Sequence, residues 1–330
     1  MTRPISLTGI KPTGTPHLGN LVGAIRPALG LAERYDAYYF IADEHALTTI
    51  RDAEEMRRYS FEVTATWLAC GLDPERTVVY KQSAVPEVFE LHWIISCLTA
   101  KGLMNRAHAY KAAVDAATAR GDDPDADVNM GLYNYPVLMA ADILVMRANV
   151  VPVGPDQIQH LEMTRDIAQR FNHTFGEVLT VPEAVVEAAV GIPGTDGRKM
   201  SKSYDNTIPL FEAPKAQRKR IMRITTDSTP MGEPLDPDGS AVYPLIAAFA
   251  SADVADDVKA RMVAGEASWG ELKGLLADLV DAALEGPRAR YEELCAHPDE
   301  VTEVLAEGAR KARVTSERLI ADVKAATGLI

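Results

Sequence analysis

Two short segments that lie far apart in the chain carry residue types suited to binding phosphates. The first reads Pro12-Thr13-Gly14-Thr15-Pro16-His17-Leu18-Gly19-Asn20, and the second reads Gly197-Arg198-Lys199-Met200-Ser201-Lys202-Ser203. A glycine-containing turn that enters a helix presents free backbone N–H groups to phosphate. Paired lysines can neutralise a pyrophosphate leaving group as its charge builds. Together the two segments predict adenylate chemistry on a bound ATP.

The first segment has a functional and an ordinary interpretation. Gly14 and Gly19 leave room for close approach of the backbone, and His17 and Asn20 can donate hydrogen bonds to a phosphoryl oxygen. A tight turn with a capping histidine is the ordinary alternative, and for such a short motif taken alone it is the commoner one. The presence of the second segment favours the functional interpretation.

The second segment is a candidate mobile loop. Gly194 and Gly197 lead into the two lysines, Lys199 and Lys202, which are accompanied by serines. Such a loop can close after ATP enters and open for product release. A solvated basic turn usually explains a lysine pair, but it does not explain why this pair accompanies the first segment.

A candidate amino-acid pocket follows from the helical spacing of Tyr135, Met139 and Asp142, which places them on one helix face. Asp142 lies among apolar neighbours, and a buried carboxylate without a donor is costly. The donor can be an internal arginine, for example Arg147 or Arg165. It can also be a ligand group that only donates, such as an indole N–H.

The segment from Val151 to His160 is predicted to close the same site. Gly154 and Asp156 follow an apolar strand where a helix begins, and a carboxylate there can accept from ribose hydroxyls. Asp156 can also cap its helix, and the two roles are compatible.

The elements that position these residues alternate between strand and helix. Strands are predicted at 5–9, 37–42, 77–80 and 149–153. A first helix is predicted with Thr15 as its N-cap and Pro16 in its first turn, and further helices at 54–69, 88–119, 138–146 and 156–171. We expect Pro27 to kink the first helix and Gly102 to break the long one. The alternation predicts an α/β fold with a Rossmann-like, doubly wound parallel sheet and inserted helices.

The pattern changes after Pro209, where only helices are predicted, at 213–224, 241–250, 253–264, 268–285 and 298–326. We therefore expect a catalytic domain at 1–208 and an all-α domain at 209–330.

Composition narrows the class of protein. The chain has 330 residues, of which 47% are hydrophobic, enough for a buried core and two domains. No apolar run approaches the ~20 residues of a membrane span, and the start lacks a secretory signal. Cys70, Cys97 and Cys295 are odd in number and widely spaced, as expected for reduced, mostly buried thiols of a cytoplasmic protein. The net charge of -13 argues against indiscriminate nucleic-acid binding but allows a local basic surface.

These motifs resemble those of a known family. His17-Leu18-Gly19-Asn20 resembles the HIGH motif, and Lys199-Met200-Ser201-Lys202-Ser203 is identical to the KMSKS motif, of class I aminoacyl-tRNA synthetases. The remaining chain is similar to tryptophanyl-tRNA synthetases over nearly its whole length. The resemblance implies formation of tryptophanyl-adenylate from ATP and L-tryptophan, followed by charging of tRNA(Trp). It implies Mg²⁺ as well, bound through the ATP phosphates because the sequence shows no carboxylate cage.

The resemblance also assigns residues. It implies catalytic roles for Lys199, Lys202, His17 and Asn20. It implies ATP contacts for Lys11, Thr13, Gly14, His17, Gly19, Asn20, Gly154, Asp156, Lys199, Met200, Ser201 and Lys202.

For tryptophan, the resemblance implies that Asp142 binds the indole N–H and that Tyr135 and Gln157 hold the α-amino group. Met139 and Val153 are expected to line the indole slot. His45 matches a substrate-side histidine, although a satisfied histidine after a strand is nearly as good an explanation.

The resemblance implies anticodon recognition by the helical domain and a homodimer formed through the inserted helical region, about residues 85–146. Two basic clusters can face tRNA phosphates or can be ordinary solvated helix faces. They are Lys215, Arg218, Lys219, Arg220 and Arg223, and Arg310, Lys311, Arg313 and Arg318.

Two positions depart from the family pattern, because Lys11 and Ala109 stand where glutamine is common. We hypothesise that Lys11 weakens the binding of bulky tryptophan-mimic inhibitors. Three rival functions are a tyrosyl-tRNA synthetase, a small-molecule adenylyltransferase and a non-catalytic regulatory paralogue. The element around Asp142 disfavours the first, the KMSKS loop with the helical domain disfavours the second, and the intact motif residues disfavour the third.

Overall fold

The structure is a computed structural model that describes residues 3–154, 157–185 and 191–330. Within them, five parallel strands form one sheet in the order β3-β2-β1-β4-β5. The strands are β1 (Ile5–Ile10), β2 (Asp36–Ile41), β3 (Val78–Lys81), β4 (Val150–Pro152) and β5 (Glu183–Val185). The predicted Rossmann-like α/β fold is confirmed. The order reverses between β1 and β4, and ligands bind at the carboxyl ends of strands beside such a reversal.

Helices cover both faces of the sheet, and none in the described ranges is long and apolar enough to cross a membrane. They are α1 (Leu18–Asn20), α2 (Arg26–Leu31), α3 (Asp43–Ala46), α4 (Ala53–Ala69), α5 (Glu87–Ser96), α6 (Lys101–Met104), α7 (His108–Ala119), α8 (Met130–Val145), α9 (Ile158–Phe175), α10 (Pro214–Met222), α11 (Tyr243–Phe249), α12 (Ala252–Val263), α13 (Trp269–Ala296) and α14 (Pro298–Thr327).

Alternate residues of the strands supply two cores, because successive side chains point to opposite faces of a sheet. Tyr39 and Ile41 belong to a core shared with α4 and with helices α10 to α13. Phe40 and Tyr80 belong to a second core shared with α5, α8, α9 and the end of α14. The sheet is therefore buried on both faces, as a parallel sheet requires.

The last helix, α14, crosses the edge strand β3. Gly308 allows this, because a Cβ on it would lie 1.7 Å from the carbonyl oxygen of Val79. Further along the helix, Arg313 forms an ion pair with Glu87 of α5 at 3.0 Å. The C-terminal helical region thus packs on the sheet as well as on its own helices.

Two helix predictions were wrong in detail. Gly102 does not break a helix, because it lies inside α6, and the interruptions fall on either side, at 97–100 and 105–107. Helix α8 begins at Met130 rather than Leu138, since the Asn129 side chain accepts a hydrogen bond from the Leu132 N–H and caps it. Pro136 is tolerated within it.

Two other features refine the prediction. The expected disturbance at Pro27 takes the form of a π-helical turn over Leu21–Ile25, in which the Arg26 N–H reaches the carbonyl of Leu21. The chain stays helical from Leu18 to Leu31. Strand β5 was not predicted, because three residues give too short an apolar pattern to recognise.

Candidate active site

The two segments that are predicted to bind phosphate lie against each other at the carboxyl end of β1. Two backbone hydrogen bonds join the first segment to the chain that follows the second. The Leu18 N–H donates to the carbonyl of Ile208 at 2.9 Å, and the Leu210 N–H donates to the carbonyl of Pro16 at 3.1 Å. The start of α1 and the chain that follows the loop therefore form one unit, although they are distant in sequence.

Lys202 makes a direct contact between the segments. Its Nζ donates a hydrogen bond to the backbone carbonyl of Thr13. Gly14 has a φ of +78°, which favours glycine, and a Cβ there would come within 3.3 Å of the Lys202 side chain. Much of this side chain is exposed, but burial of its ammonium end lowers the pKa of Lys202 to about 8. The charged form still predominates at neutral pH, so Lys202 can offer a cation to a phosphate.

His17 lies beside this contact and is only 6% exposed. Its backbone N–H donates to Oδ1 of Asn20 at 3.0 Å, while its buried Nδ1 has no hydrogen-bond partner among the described residues. Burial, and then the charge of Lys202, lowers the pKa of His17 to about 4, so the ring is neutral. A buried nitrogen without a partner needs an explanation. A phosphate oxygen supplies one if the hydrogen is on Nδ1.

Gly19 brings the KMSKS methionine into the same site. Its N–H donates to Sδ of Met200 at 3.3 Å, and a Cβ on Gly19 would lie 2.9 Å from the His17 ring. The site therefore requires glycine at this position, where helix α1 begins.

The structure separates the two lysines of the loop. Lys202 contacts the turn before α1. Lys199 is exposed and instead borders a cavity of about 750 Å³ between the loop and the helical region. Asp196 and Asp227 line the same cavity. The base of the loop is held by Asn206, which is 1% exposed and accepts from the Ser201 N–H at 2.8 Å. Sequence reasoning did not identify Asn206, because its role is visible only once the loop folds back on itself.

A second cavity, of about 490 Å³, lies at the carboxyl ends of β1, β2 and β4. It brings together most residues predicted for the amino-acid pocket, with residues of the sheet as its floor. Its lining is Leu7, Thr8, Gly9, Lys11, Phe40, Ala42, His45, Thr48, Thr49, Ala109, Leu132, Tyr135, Met139, Asp142, Ile143, Val151, Pro152, Gln157 and His160.

Asp142 is 1% exposed at the wall of this cavity, and neither proposed arginine pairs with it. Arg147 pairs with Asp322, and Arg165 donates to the carbonyl of Pro182. The donors to Asp142 are instead the His45 Nε2, at 2.8 Å from Oδ2, and the Gln82 Nε2, at 2.8 Å from Oδ1. Burial raises the pKa of Asp142, and both hydrogen bonds and the His45 charge counter that rise.

The polar end of the cavity is built around Tyr135. Its hydroxyl lies 2.6 Å from Nε2 of His160, and burial raises the pKa of Tyr135. Gln157 and Met139 also line the cavity. Val153 does not, because it is 4% exposed and packs in the core behind β4.

Lys11 and Ala109, which stand where glutamine is common in the family, both line this cavity. The Lys11 Nζ donates to Oγ1 of Thr48 at 2.9 Å. Burial lowers the pKa of Lys11. Gly154 and Asp156 were predicted to face the nucleotide. The Gly154 carbonyl accepts from the Gln157 N–H at 2.9 Å, and Asp156 lies outside the described residues.

Comparison with known proteins decides the family. The family model described as tRNA synthetases class I (W and Y) matches residues 2–285. A tryptophan–tRNA ligase of Pseudomonas aeruginosa is 54% identical over 98% of this chain and 73% of its own length. The chain belongs to the tryptophanyl-tRNA synthetase family.

Two other proteins of this family are similar to the chain over nearly their whole length. A tryptophan–tRNA ligase of Neisseria meningitidis is 51% identical over 100% of this chain and 99% of its own length. The crystal structure of a Campylobacter jejuni tryptophanyl-tRNA synthetase complexed with ADP and tryptophan has a TM-score of 0.87 and 39% identity. It covers 98% of this chain and 99% of that one.

The two basic clusters expected in a tRNA synthetase differ in how far their charges are already paired. In the second, Arg310 pairs with Glu307 and Arg313 pairs with Glu87. In the first, Arg218 pairs with Asp278 and Arg220 with Glu212, but Lys215, Lys219 and Arg223 are exposed and have no acidic partner among the described residues.

Proposed function

We propose that this chain activates L-tryptophan with ATP, forming tryptophanyl-adenylate and pyrophosphate, and then transfers tryptophan to the 3′-terminal adenosine of tRNA(Trp). The observation that carries this proposal is the buried Asp142, which faces an apolar cavity at the same sheet edge as the Lys202–Thr13 contact. An acidic acceptor in an apolar slot suits an indole N–H. The neighbouring turn suits a nucleotide.

In this proposal the chain's residues position the reactants. Asp142 accepts from the indole N–H, and Tyr135 and Gln157 hold the α-amino group at the polar end of the cavity. The tryptophan carboxylate then attacks the α-phosphorus, and pyrophosphate leaves. Lys202 and the neutral His17 stabilise the phosphates as negative charge shifts to the leaving group, so positioning and charge stabilisation supply most of the catalysis.

We infer that Mg²⁺ enters with the nucleotide. Among the described residues, no group of three His, Cys, Asp or Glu side chains could hold a metal ion. The site instead offers the Lys202 ammonium and the His17 Nδ1, which has no partner among the described residues, and both can donate to phosphate oxygens if the His17 hydrogen is on Nδ1. The phosphates would hold the ion, which supplies further charge neutralisation.

We also propose that residues 209–330 bind the tRNA, through Lys215, Lys219 and Arg223, and that residues 1–208 form the catalytic domain. These three exposed cations have no acidic partner among the described residues, so they can release counterions on binding phosphates. The expectation that the cysteines are mostly buried was wrong, because Cys97 and Cys295 are exposed. All three, Cys70 included, are free, which suits a reducing compartment such as the cytoplasm.

A homodimer is proposed through the inserted helices. Trp93 of α5 is 71% exposed and Met130 of α8 is 68% exposed, and both lie on the region expected to form the interface. Contiguous exposed apolar surface marks interaction sites, and these two side chains can contribute to such a surface. Analytical ultracentrifugation of Trp93→Glu should show a shift towards the monomer.

One assay series tests the proposed reaction. Pyrophosphate exchange should depend on tryptophan and not on tyrosine, and tRNA(Trp) should then accept tryptophan. Exchange stimulated equally by tyrosine would contradict the substrate. Exchange without tRNA charging would restrict the protein to amino-acid activation.

A further inference from the structure

Gln82 is a buried amide that sequence reasoning did not single out. It begins the single helical turn Gln82–Ala84, directly after β3, and its side chain is 0% exposed. A buried amide is costly unless its donor and acceptor both find partners. Gln82 meets this requirement with Nε2 on Oδ1 of Asp142 at 2.8 Å and Oε1 on the backbone N–H of His45 at 3.3 Å.

The orientation of this amide is determined by its partners. The backbone N–H of His45 can only donate a hydrogen bond, so the oxygen of the Gln82 amide must be the atom that faces it. The Nε2 of Gln82 must therefore face Asp142, and its Oε1 must face His45. One side chain thereby links the carboxylate to the helix α3 that carries the other donor, His45.

Each carboxylate oxygen of Asp142 accepts one hydrogen bond from a protein donor. Oδ1 accepts from Gln82 and Oδ2 accepts from the His45 ring, so the plane of the carboxylate is held from two sides. Each oxygen can accept more than one hydrogen bond. Asp142 lines the cavity, so a ligand there can use a remaining acceptor position of a carboxylate that both donors orient.

We propose that Gln82 is a positioning residue that sets the selectivity of the cavity for a ligand carrying an indole N–H. This inference rests on the proposed function. Without Gln82, the buried carboxylate would lose a donor that favours its charged form and orients it, and its hydrogen bond to the ligand N–H would weaken. Packing of the apolar part of the ligand would not change, because Gln82 does not line the cavity.

Ser83 provides a matched control. It is the next residue of the same turn, and it also ties the turn to α3, with its N–H at 3.1 Å from Oδ1 of Asp43 and its Oγ on Oδ2 of Asp43 at 2.5 Å. It makes no hydrogen bond to Asp142 within the described residues. Ser83→Ala therefore weakens the contact between this turn and α3 without removing a hydrogen-bond donor from the carboxylate of Asp142.

The test compares L-tryptophan with β-(3-benzothienyl)alanine, in which sulfur replaces the N–H in a ring of nearly the same shape. The ratio of kcat/KM values in pyrophosphate exchange measures the contribution of that N–H. We expect Gln82→Met to lower this ratio roughly tenfold or more, because kcat/KM for tryptophan should fall while kcat/KM for the analogue changes little. Gln82→Glu, which brings a second acceptor, should lower it as well, and Ser83→Ala should leave it unchanged.

Several results would overturn the inference. The first is a ratio that is unchanged in both folded Gln82 variants. The second is an equal loss of kcat/KM for tryptophan and for the analogue. The third is a wild-type protein that does not prefer tryptophan over the analogue. Circular dichroism and thermal melting check the fold of each variant, and the Glu variant serves if the Met variant does not fold. Absence of tryptophan-dependent exchange in the wild type is a separate outcome, which would remove the proposed function itself.

Discussion

The sulfur of Met200 accepts a hydrogen bond from the backbone N–H of Gly19, at 3.3 Å. The two residues belong to the two motifs, and the N–H lies at the start of α1, where backbone donors have no partner within the helix. The KMSKS loop thus occupies, in this structure, a backbone donor of the turn. Met200 is 5% exposed, so it packs the loop against the turn as well as bonding to it.

The first prediction concerns this contact. Met200→Leu keeps the volume of the side chain and removes its acceptor, so the loop should dock less well on α1. We expect KM for ATP to rise two- to tenfold, the range for one neutral hydrogen bond, while the Kd for tryptophan stays the same. Pyrophosphate exchange at varied ATP and a tryptophan titration measure the two quantities. Met231→Leu, at a position 81% exposed, is the control.

The second prediction concerns Lys202. Lys202→Ala removes the cation from the turn and should lower the adenylation rate by roughly a hundredfold or more, typical for loss of a preorganised charge. Tryptophan affinity should change little, because Lys202 does not line the amino-acid cavity. Lys259→Ala removes a surface lysine that bonds Asp238 and should have no effect. Near-wild-type exchange in Lys202→Ala would disprove the role given to this residue.

The third prediction is a pH dependence. A lysine is charged below its pKa, and burial lowers the pKa of Lys202 to about 8. The charge should therefore be lost as pH rises through about 8, and kcat/KM for ATP should fall above that pH. Lys202→Arg stays charged throughout and should move this fall to higher pH, whatever its absolute rate. Identical profiles for the two proteins would assign the titration to another group.

The sequence was informative where the residues of a site are contiguous. The turn before α1 and the KMSKS loop each occupy one short stretch, so their residue types predicted phosphate binding directly. The surroundings of Asp142 are different, because its donors His45 and Gln82 come from α3 and from the turn after β3. Two arginines nearer in sequence were the reasonable candidates, and both are used elsewhere.

Physical reasons explain the other differences. Glycine is unfavourable within a helix by about 1 kcal/mol, which predicted a break at Gly102. That cost is small, and Gly102 remains inside the short helix α6. His160 gave no signal of its own, because its contact with Tyr135 depends on the packing of α9 against α8.

The fourth prediction concerns inhibitors that mimic tryptophan. The Lys11 ammonium extends into the cavity and is held on Thr48, so a bulky ligand must displace it or pack around it. Lys11→Gln should therefore lower the inhibition constant of such inhibitors several-fold, with a smaller change in KM for tryptophan. Ala109→Gln fills the same cavity from α7 and serves as the comparison. Equal inhibition constants for the wild type and Lys11→Gln would contradict this role.

The fifth prediction concerns stability. Gly308→Ala adds a methyl group that would lie 1.7 Å from the carbonyl oxygen of Val79, so α14 must move away from β3. Such overpacking should lower the free energy of unfolding by about 3 kcal/mol or more. Gly274→Ala, in α13, meets only the far end of Arg218 at 3.8 Å and should raise it by about 0.5–1 kcal/mol, since alanine favours the helix. Urea unfolding of both variants measures the difference. A neutral Gly308→Ala would show that α14 does not pack this closely on the sheet.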